Sequence, residues 1–71
     1  MVDIELLKQT IEDRGISIMK LSQKSHIDRA TLYNRLKNRG EFTASEILGI
    51  SEALKLSVTE RDEIFLVEKV N

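Results

Sequence analysis

The chain has 71 residues, 41% of them hydrophobic and 32% charged, and its formal net charge is −1 at pH 7. This length is close to the lower limit for a fold held together by one hydrophobic core, so we predict a single domain over residues 1–71. The chain contains no cysteine, which excludes disulfide bonds, thiolate metal sites and cysteine nucleophiles.

Positive charge is concentrated in the middle of the chain. Residues 17–40 contain six basic residues and one acidic residue, a local net charge of +5. The rest of the chain contains five basic and eleven acidic residues, a net charge of −6. A basic segment of this kind can attract phosphate groups although the whole chain is slightly acidic. A solvated lysine-rich surface would have the same composition, so charge alone leaves both interpretations open.

The beginning of the chain predicts a first helix. Ile4, Leu7 and Ile11 recur at helical spacing with polar residues between them, and Gly15 follows as a stop. This pattern predicts a helix over about 3–14. Charged residues interrupt the same stretch, so it lacks the apolar run of a signal peptide or a membrane span, and we expect a cytoplasmic protein.

A second, short helix is predicted to begin after Ser17, which is a good N-cap residue. Ile18, Leu21, Ser22 and Ser25 share one face of this helix, and the last three are small or apolar enough for close contact with a neighbouring helix. We expect the second helix to end near Ser25.

A tight turn at His26 leads to a third helix, predicted over about 29–37. Asp28 can accept backbone N–H bonds at its start. Leu32 and Leu36 lie four residues apart and form its buried stripe. The other faces carry mainly polar side chains, namely Arg29, Thr31, Tyr33, Asn34, Arg35 and Lys37.

Two further helix starts carry a reciprocal capping box. The first joins Thr43 to Glu46 and predicts a fourth helix over about 44–54, and the second joins Ser57 to Glu60 and predicts a fifth helix. The tail over 64–70 is more apolar than a free terminus needs to be. We favour an interpretation in which this tail closes the core, with pairing to a second copy as the alternative.

Five short helices with a tight turn between the second and third predict an all-α fold containing a helix-turn-helix, the motif that presents a recognition helix to a DNA groove. The stretch 15–36 resembles the helix-turn-helix of the Cro and lambda-repressor-like family, in which a small residue of the first motif helix, here Ser22, packs against the second. Three further stretches are similar to small temperate-phage regulators of the Cro type: 29–38, 41–43 and 60–65. The resemblance covers roughly 6–65 and implies a compact five-helix, lambda-repressor-like DNA-binding domain with the motif at about 17–37.

Three positions depart from the family pattern. Ile18 stands where the family often has a glutamine that touches DNA, and Ser25 stands where an apolar residue is common. His26 replaces the usual glycine of the turn. Histidine is among the residues that can adopt the left-handed conformation, so His26 is compatible with the motif.

The resemblance implies two sets of DNA contacts, which the chemistry of the side chains supports. Arginine matches the paired acceptors of guanine and asparagine matches the edge of adenine, whereas lysines and helix-start amides neutralise phosphate without reading sequence. Arg29 could instead pair with Asp28 or Glu41, and Tyr33 could simply lean on the domain surface. The base-contact set is Arg29, Ala30, Tyr33, Asn34 and Lys37, and the phosphate-contact set is Ser17, Lys20, Thr31 and Arg39.

An enzyme is not expected from this sequence. The chain has one histidine, no cysteine and no glycine-rich phosphate loop, so we predict no catalytic residue, no metal site and no cofactor.

The predicted function is that of a Cro-like repressor in the cytoplasm of a bacterial host. It would bind double-stranded operator DNA as a homodimer and control a bacteriophage genetic switch of the lysis/lysogeny type, as the resemblance implies. The alternative is an antirepressor or modulator that binds a phage repressor protein. Three observations favour this alternative: the net negative charge of the chain, the absence of the DNA-contacting glutamine at position 18, and two apolar residues predicted to be exposed, Ile18 and Met19.

Overall fold

A computed structural model describes residues 2–66 of the protein. This part of the chain contains five helices and no strand, which confirms the all-α prediction. The helices are α1 (Ile4–Asp13), α2 (Ile18–Ser25), α3 (Arg29–Leu36), α4 (Ala44–Leu54) and α5 (Val58–Phe65).

Every helix begins at a residue whose side chain accepts a hydrogen bond from the backbone N–H three positions later. Such a cap satisfies one of the N–H groups that a helix start leaves without a partner, and it is worth about 1 kcal/mol. Both predicted capping boxes are present, with Glu46 and Glu60 accepting in return from the cap residues' own N–H groups. The five cap residues are Asp3, Ser17, Asp28, Thr43 and Ser57.

The centre of the core receives one side chain from each helix. These five residues are less than 2% exposed: Leu7, Leu21, Leu32, Ile50 and Ile64. Phe65 is also buried and meets Phe42 edge to face, with ring centroids 5.4 Å apart. Core closure is therefore confirmed for Ile64 and Phe65, whereas Leu66 is exposed and 67–70 lie outside the described residues.

Helices α2 and α4 approach each other closely through two small residues. A Cβ at Gly49 would lie 2.5 Å from the backbone oxygen of Ser25, so only glycine fits at this position. Ser25 is buried, and its hydroxyl donates to the backbone oxygen of Leu21 at 2.6 Å. This hydrogen bond satisfies the buried hydroxyl within its own helix and explains how serine replaces the expected apolar residue.

Arg14 joins three helix ends. Its Nε donates to the backbone oxygen of Leu54 at the end of α4, at 3.0 Å. Its Nη2 donates to both carboxylate oxygens of Glu60 in α5, at 3.0 and 2.9 Å. The Ser57 backbone N–H, followed by Arg14, holds the pKa of Glu60 below its ordinary value of 4.5.

Across residues 2–66, no helix combines the length and the apolar character that crossing a membrane requires.

Candidate nucleic-acid interface

The turn between α2 and α3 is fixed by backbone conformation and by one hydroxyl. His26 has φ 60° and ψ 30°, the left-handed conformation that the turn requires and that histidine can adopt. The Ser22 Oγ donates to the backbone oxygen of Ile27 at 2.5 Å. In return, the Ile27 backbone N–H donates to the backbone oxygen of Ser22 at 3.2 Å. The Ile27 side chain is buried beneath the turn. These contacts set the direction in which α3 leaves α2.

Helix α3 presents a continuous exposed stripe. Leu32 and Leu36 are buried, as predicted, and hold one face of the helix against the core. Four exposed residues recur at the i, i+3, i+4, i+7 spacing that forms one face of a helix, and Arg29 extends this face at the helix start. All five residues predicted to contact bases are therefore exposed together: Arg29, Ala30, Tyr33, Asn34 and Lys37.

The guanidinium of Arg29 is not engaged by the carboxylates considered for it. Arg29 forms no salt bridge with any residue in the described part of the chain. The Asp28 carboxylate instead caps α3 by accepting from the Thr31 N–H at 3.3 Å. Arg29 is therefore exposed at the start of α3 with its donors available to a ligand.

Arg35 has a structural role that its position on a polar face of α3 does not indicate. Its Nε and Nη2 donate to the two carboxylate oxygens of Glu46 at 3.1 and 3.4 Å. The two side chains are only 20% and 15% exposed. Gly40 makes room for this arrangement, since a Cβ there would lie 2.5 Å from Nη1 of Arg35. The pair anchors α3 to the start of α4 and compensates one of the six central positive charges.

The residues predicted to contact phosphate lie at the two ends of the motif. Ser17 and Lys20 are exposed at the start of α2, where the Ser17 Oγ accepts from the Lys20 N–H at 3.1 Å. Arg39 is exposed in the segment after α3, where its N–H donates to the backbone oxygen of Asn34 at 2.8 Å. Thr31 differs from these three because it is half-buried within α3.

Ile18 is less exposed than predicted. Ile18 is half-buried and packs against the core, so it is not an exposed contact residue. It lies three positions before the fully buried Leu21, on the inward face of α2, and this spacing overrides its position at the helix start. Met19 is 54% exposed, as predicted, and lies beside Arg29 in a shallow depression between α2 and α3.

No group of three or more histidine, cysteine, aspartate or glutamate side chains that could hold a metal ion comes together within residues 2–66.

The family model of the Cro/C1-type helix-turn-helix DNA-binding domain matches residues 6–60. The chain belongs to the Cro/C1-type helix-turn-helix family. The match includes all of α2, the turn and α3, which are the elements that present the exposed stripe. No curated protein and no solved structure matches the chain.

Membership of the Cro/C1-type family identifies a DNA-binding domain of a transcription regulator, whose partner is double-stranded DNA. The family is typically non-enzymatic. Helices α2 and α3 also contact each other, and a helix-turn-helix needs this contact to hold its second helix in a fixed orientation.

Proposed function

We propose that the protein is a Cro-like transcriptional repressor that reads operator DNA with α3. The observation that carries this proposal is the exposed stripe on α3, directly after the tight turn at His26. In this function the stripe enters the major groove, where Arg29 donates to guanine and Asn34 pairs with adenine. Tyr33 and Ala30 contribute apolar contact to thymine methyl groups, and Lys37 reaches the end of the same stripe.

Phosphate contacts at both ends of the motif position α3 in the groove. Lys20 at the start of α2 and Arg39 after α3 are exposed cations, and neither forms a salt bridge within residues 2–66. Ser17 and Thr31 add hydroxyl donors beside them. Such contacts release counterions, so DNA affinity falls steeply with added salt and does so for every sequence.

The proposal includes a homodimer on the operator. A helix of eight residues such as α3 reads too few base pairs for useful specificity, and two half-sites one helical turn apart supply the rest. The regulatory setting that the sequence resemblance suggests is a temperate-phage switch between lysis and lysogeny, in the cytoplasm of a bacterial cell.

A second candidate is a modulator that binds a repressor protein. One observation favours it: Met19 is an exposed, flexible apolar side chain next to the recognition helix. Ile18, the other residue assigned to this candidate, is half-buried and would offer a partner less surface than Met19.

The test is selection of binding sites from a pool of random duplexes, followed by titration of the selected duplex and an unrelated one. Arg29→Ala and Asn34→Ala should each weaken binding to the selected duplex roughly tenfold more than binding to the unrelated duplex. Lys8→Ala and Gln9→Ala on α1 are matched controls of similar charge and polarity. We expect both controls to retain the preference for the selected duplex.

Equal losses on the two duplexes would show that α3 does not read bases. Failure to select any duplex, combined with binding to a repressor protein that Met19→Asp abolishes, would favour the modulator.

A further inference from the structure

A shallow depression lies beside α2, between its outer side and the end of α4. Four of the residues that line it are basic, and none of the described lining residues is acidic. We call this surface the α2–α4 basic face. Its basic residues are Arg14, Lys20, Lys24 and Lys55.

Arg14 is already occupied, but the three lysines are not. The Arg14 guanidinium is bonded to Leu54 and Glu60. Lys20, Lys24 and Lys55 are exposed, and none of them forms a salt bridge with a residue of the 2–66 range. The α2–α4 basic face therefore collects three uncompensated positive charges in one concave area.

Two features of these lysines are unfavourable for folding. Lys20 and Lys24 are four residues apart on α2, a spacing at which like charges destabilise a helix. Lys55 ends α4 in the left-handed conformation, with φ 53° and ψ 49°, where glycine or asparagine costs less. An anionic partner would offset the repulsion between Lys20 and Lys24.

We propose that the α2–α4 basic face is a second DNA contact, which holds the phosphate backbone beyond the segment that α3 reads. This inference rests on the proposed function. The face is continuous with the candidate interface, because Ser17 and Lys20 belong to both. A DNA phosphate backbone that contacts Lys20 can continue to Lys24 and Lys55 without passing an acidic residue of this lining. The contact would add affinity without sequence preference and would lengthen the DNA segment that the protein covers.

The experiment measures the salt dependence of DNA affinity for the full chain and for the double variant Lys24→Gln/Lys55→Gln. The probes are a random-sequence duplex of about three helical turns, the site-selected duplex of equal length, and the selected site trimmed of its flanks. Each phosphate contact contributes about 0.9 to the slope of log affinity against log salt, so the double variant should lose about 1.8 on both long duplexes. The loss should shrink on the trimmed duplex. Lys8→Gln is the charge-matched control on α1.

An equal loss per charge in Lys8→Gln would overturn the inference, since net charge would then explain the effect. An unchanged slope in the double variant would also overturn it. A lowered melting temperature with unchanged DNA affinity would overturn it as well, because the lysines would then only stabilise the ends of their helices through their charge. These results can be distinguished from failure of the proposed function. If the proposed function is wrong, the unmodified protein itself will show no salt-dependent binding to DNA.

Discussion

Single residues decide where α2 and α3 can lie. Ser22 and His26 shape the turn from within, through a hydroxyl bond and a left-handed backbone conformation. Gly49 acts from the other side, because its missing side chain allows the end of α2 to rest against α4. The exposed stripe on α3 is therefore oriented by residues that do not contact DNA in the proposed function.

Gly49→Ala should destabilise the fold by about 1–3 kcal/mol, because the added Cβ meets a backbone oxygen that cannot move independently. This sign is opposite to the usual effect of glycine to alanine inside a helix, which stabilises by about 0.5–1 kcal/mol. Urea unfolding measures the difference. Glu52→Ala, an exposed change in the same helix, should stay within about 0.5 kcal/mol of the unmodified protein. A Gly49→Ala protein as stable as the original would contradict the close approach.

At the scale of elements, α3 is held on two sides by different means. Leu32 and Leu36 supply apolar contact with the core, and the pair of Arg35 with Glu46 fixes the helix to the start of α4. Glu46 serves two purposes at once, since its Oε1 also accepts from the Thr43 N–H at 3.0 Å. The same carboxylate thus caps α4 and helps to orient α3.

Substitution of the two arginines of α3 should affect stability to different extents. Arg35→Ala should cost about 1–3 kcal/mol of stability, because the partly buried Glu46 carboxylate loses a bidentate partner. Arg29→Ala should change stability by less than about 0.5 kcal/mol, since Arg29 is exposed and makes no salt bridge within residues 2–66. Thermal and urea unfolding of both variants provide the comparison. A stable Arg35→Ala protein would remove the proposed anchor of α3.

The elements of the candidate site followed from local patterns. A cap side chain accepts from the N–H three positions later, so the caps of α2 and α3, Ser17 and Asp28, could be recognised from neighbouring residues in the sequence. The exposure of Tyr33 and Asn34 followed from the helical period of Leu32 and Leu36. The bond between Arg35 and Glu46 joins residues eleven positions apart, and no periodic pattern indicates such a pair.

For the whole molecule, the bond between Arg14 and Glu60 links the end of α1 to the start of α5 and lies close to the end of α4. It is reinforced by the Asp3 N–H, which donates to the backbone oxygen of Ile64 at 2.7 Å. Helices distant in sequence are thereby held together around the core. Acid should weaken this arrangement.

The pKa of Glu60 is lowered in the folded protein, first by the Ser57 backbone N–H and then by Arg14. The unfolded chain therefore binds a proton more readily, and the stability that Glu60 contributes is complete above pH 4.5 and lost as the pH falls toward the lowered value. Glu60→Gln should show a smaller decrease in melting temperature than the unmodified protein over this range. Arg14→Gln should reduce the acid-induced decrease in melting temperature by less than Glu60→Gln does, because the Ser57 N–H, the larger cause of the lowered pKa, still bonds to Glu60. Identical acid profiles for all three proteins would contradict this assignment.

The sequence by itself determined the five helices, the N-caps of α2 to α5, the buried leucines of α3 and the residues exposed on α3, because each depends on hydrogen bonds or periodicity within a few residues. Only the tertiary structure showed how far the apolar residues of α2 are exposed: Ile18 is partly buried and Met19 is exposed. The same holds for the close approach at Gly49, the Arg35–Glu46 pair and the α2–α4 basic face. These features join residues that are distant along the chain, and they arise only when five helices share one core and bring those residues together.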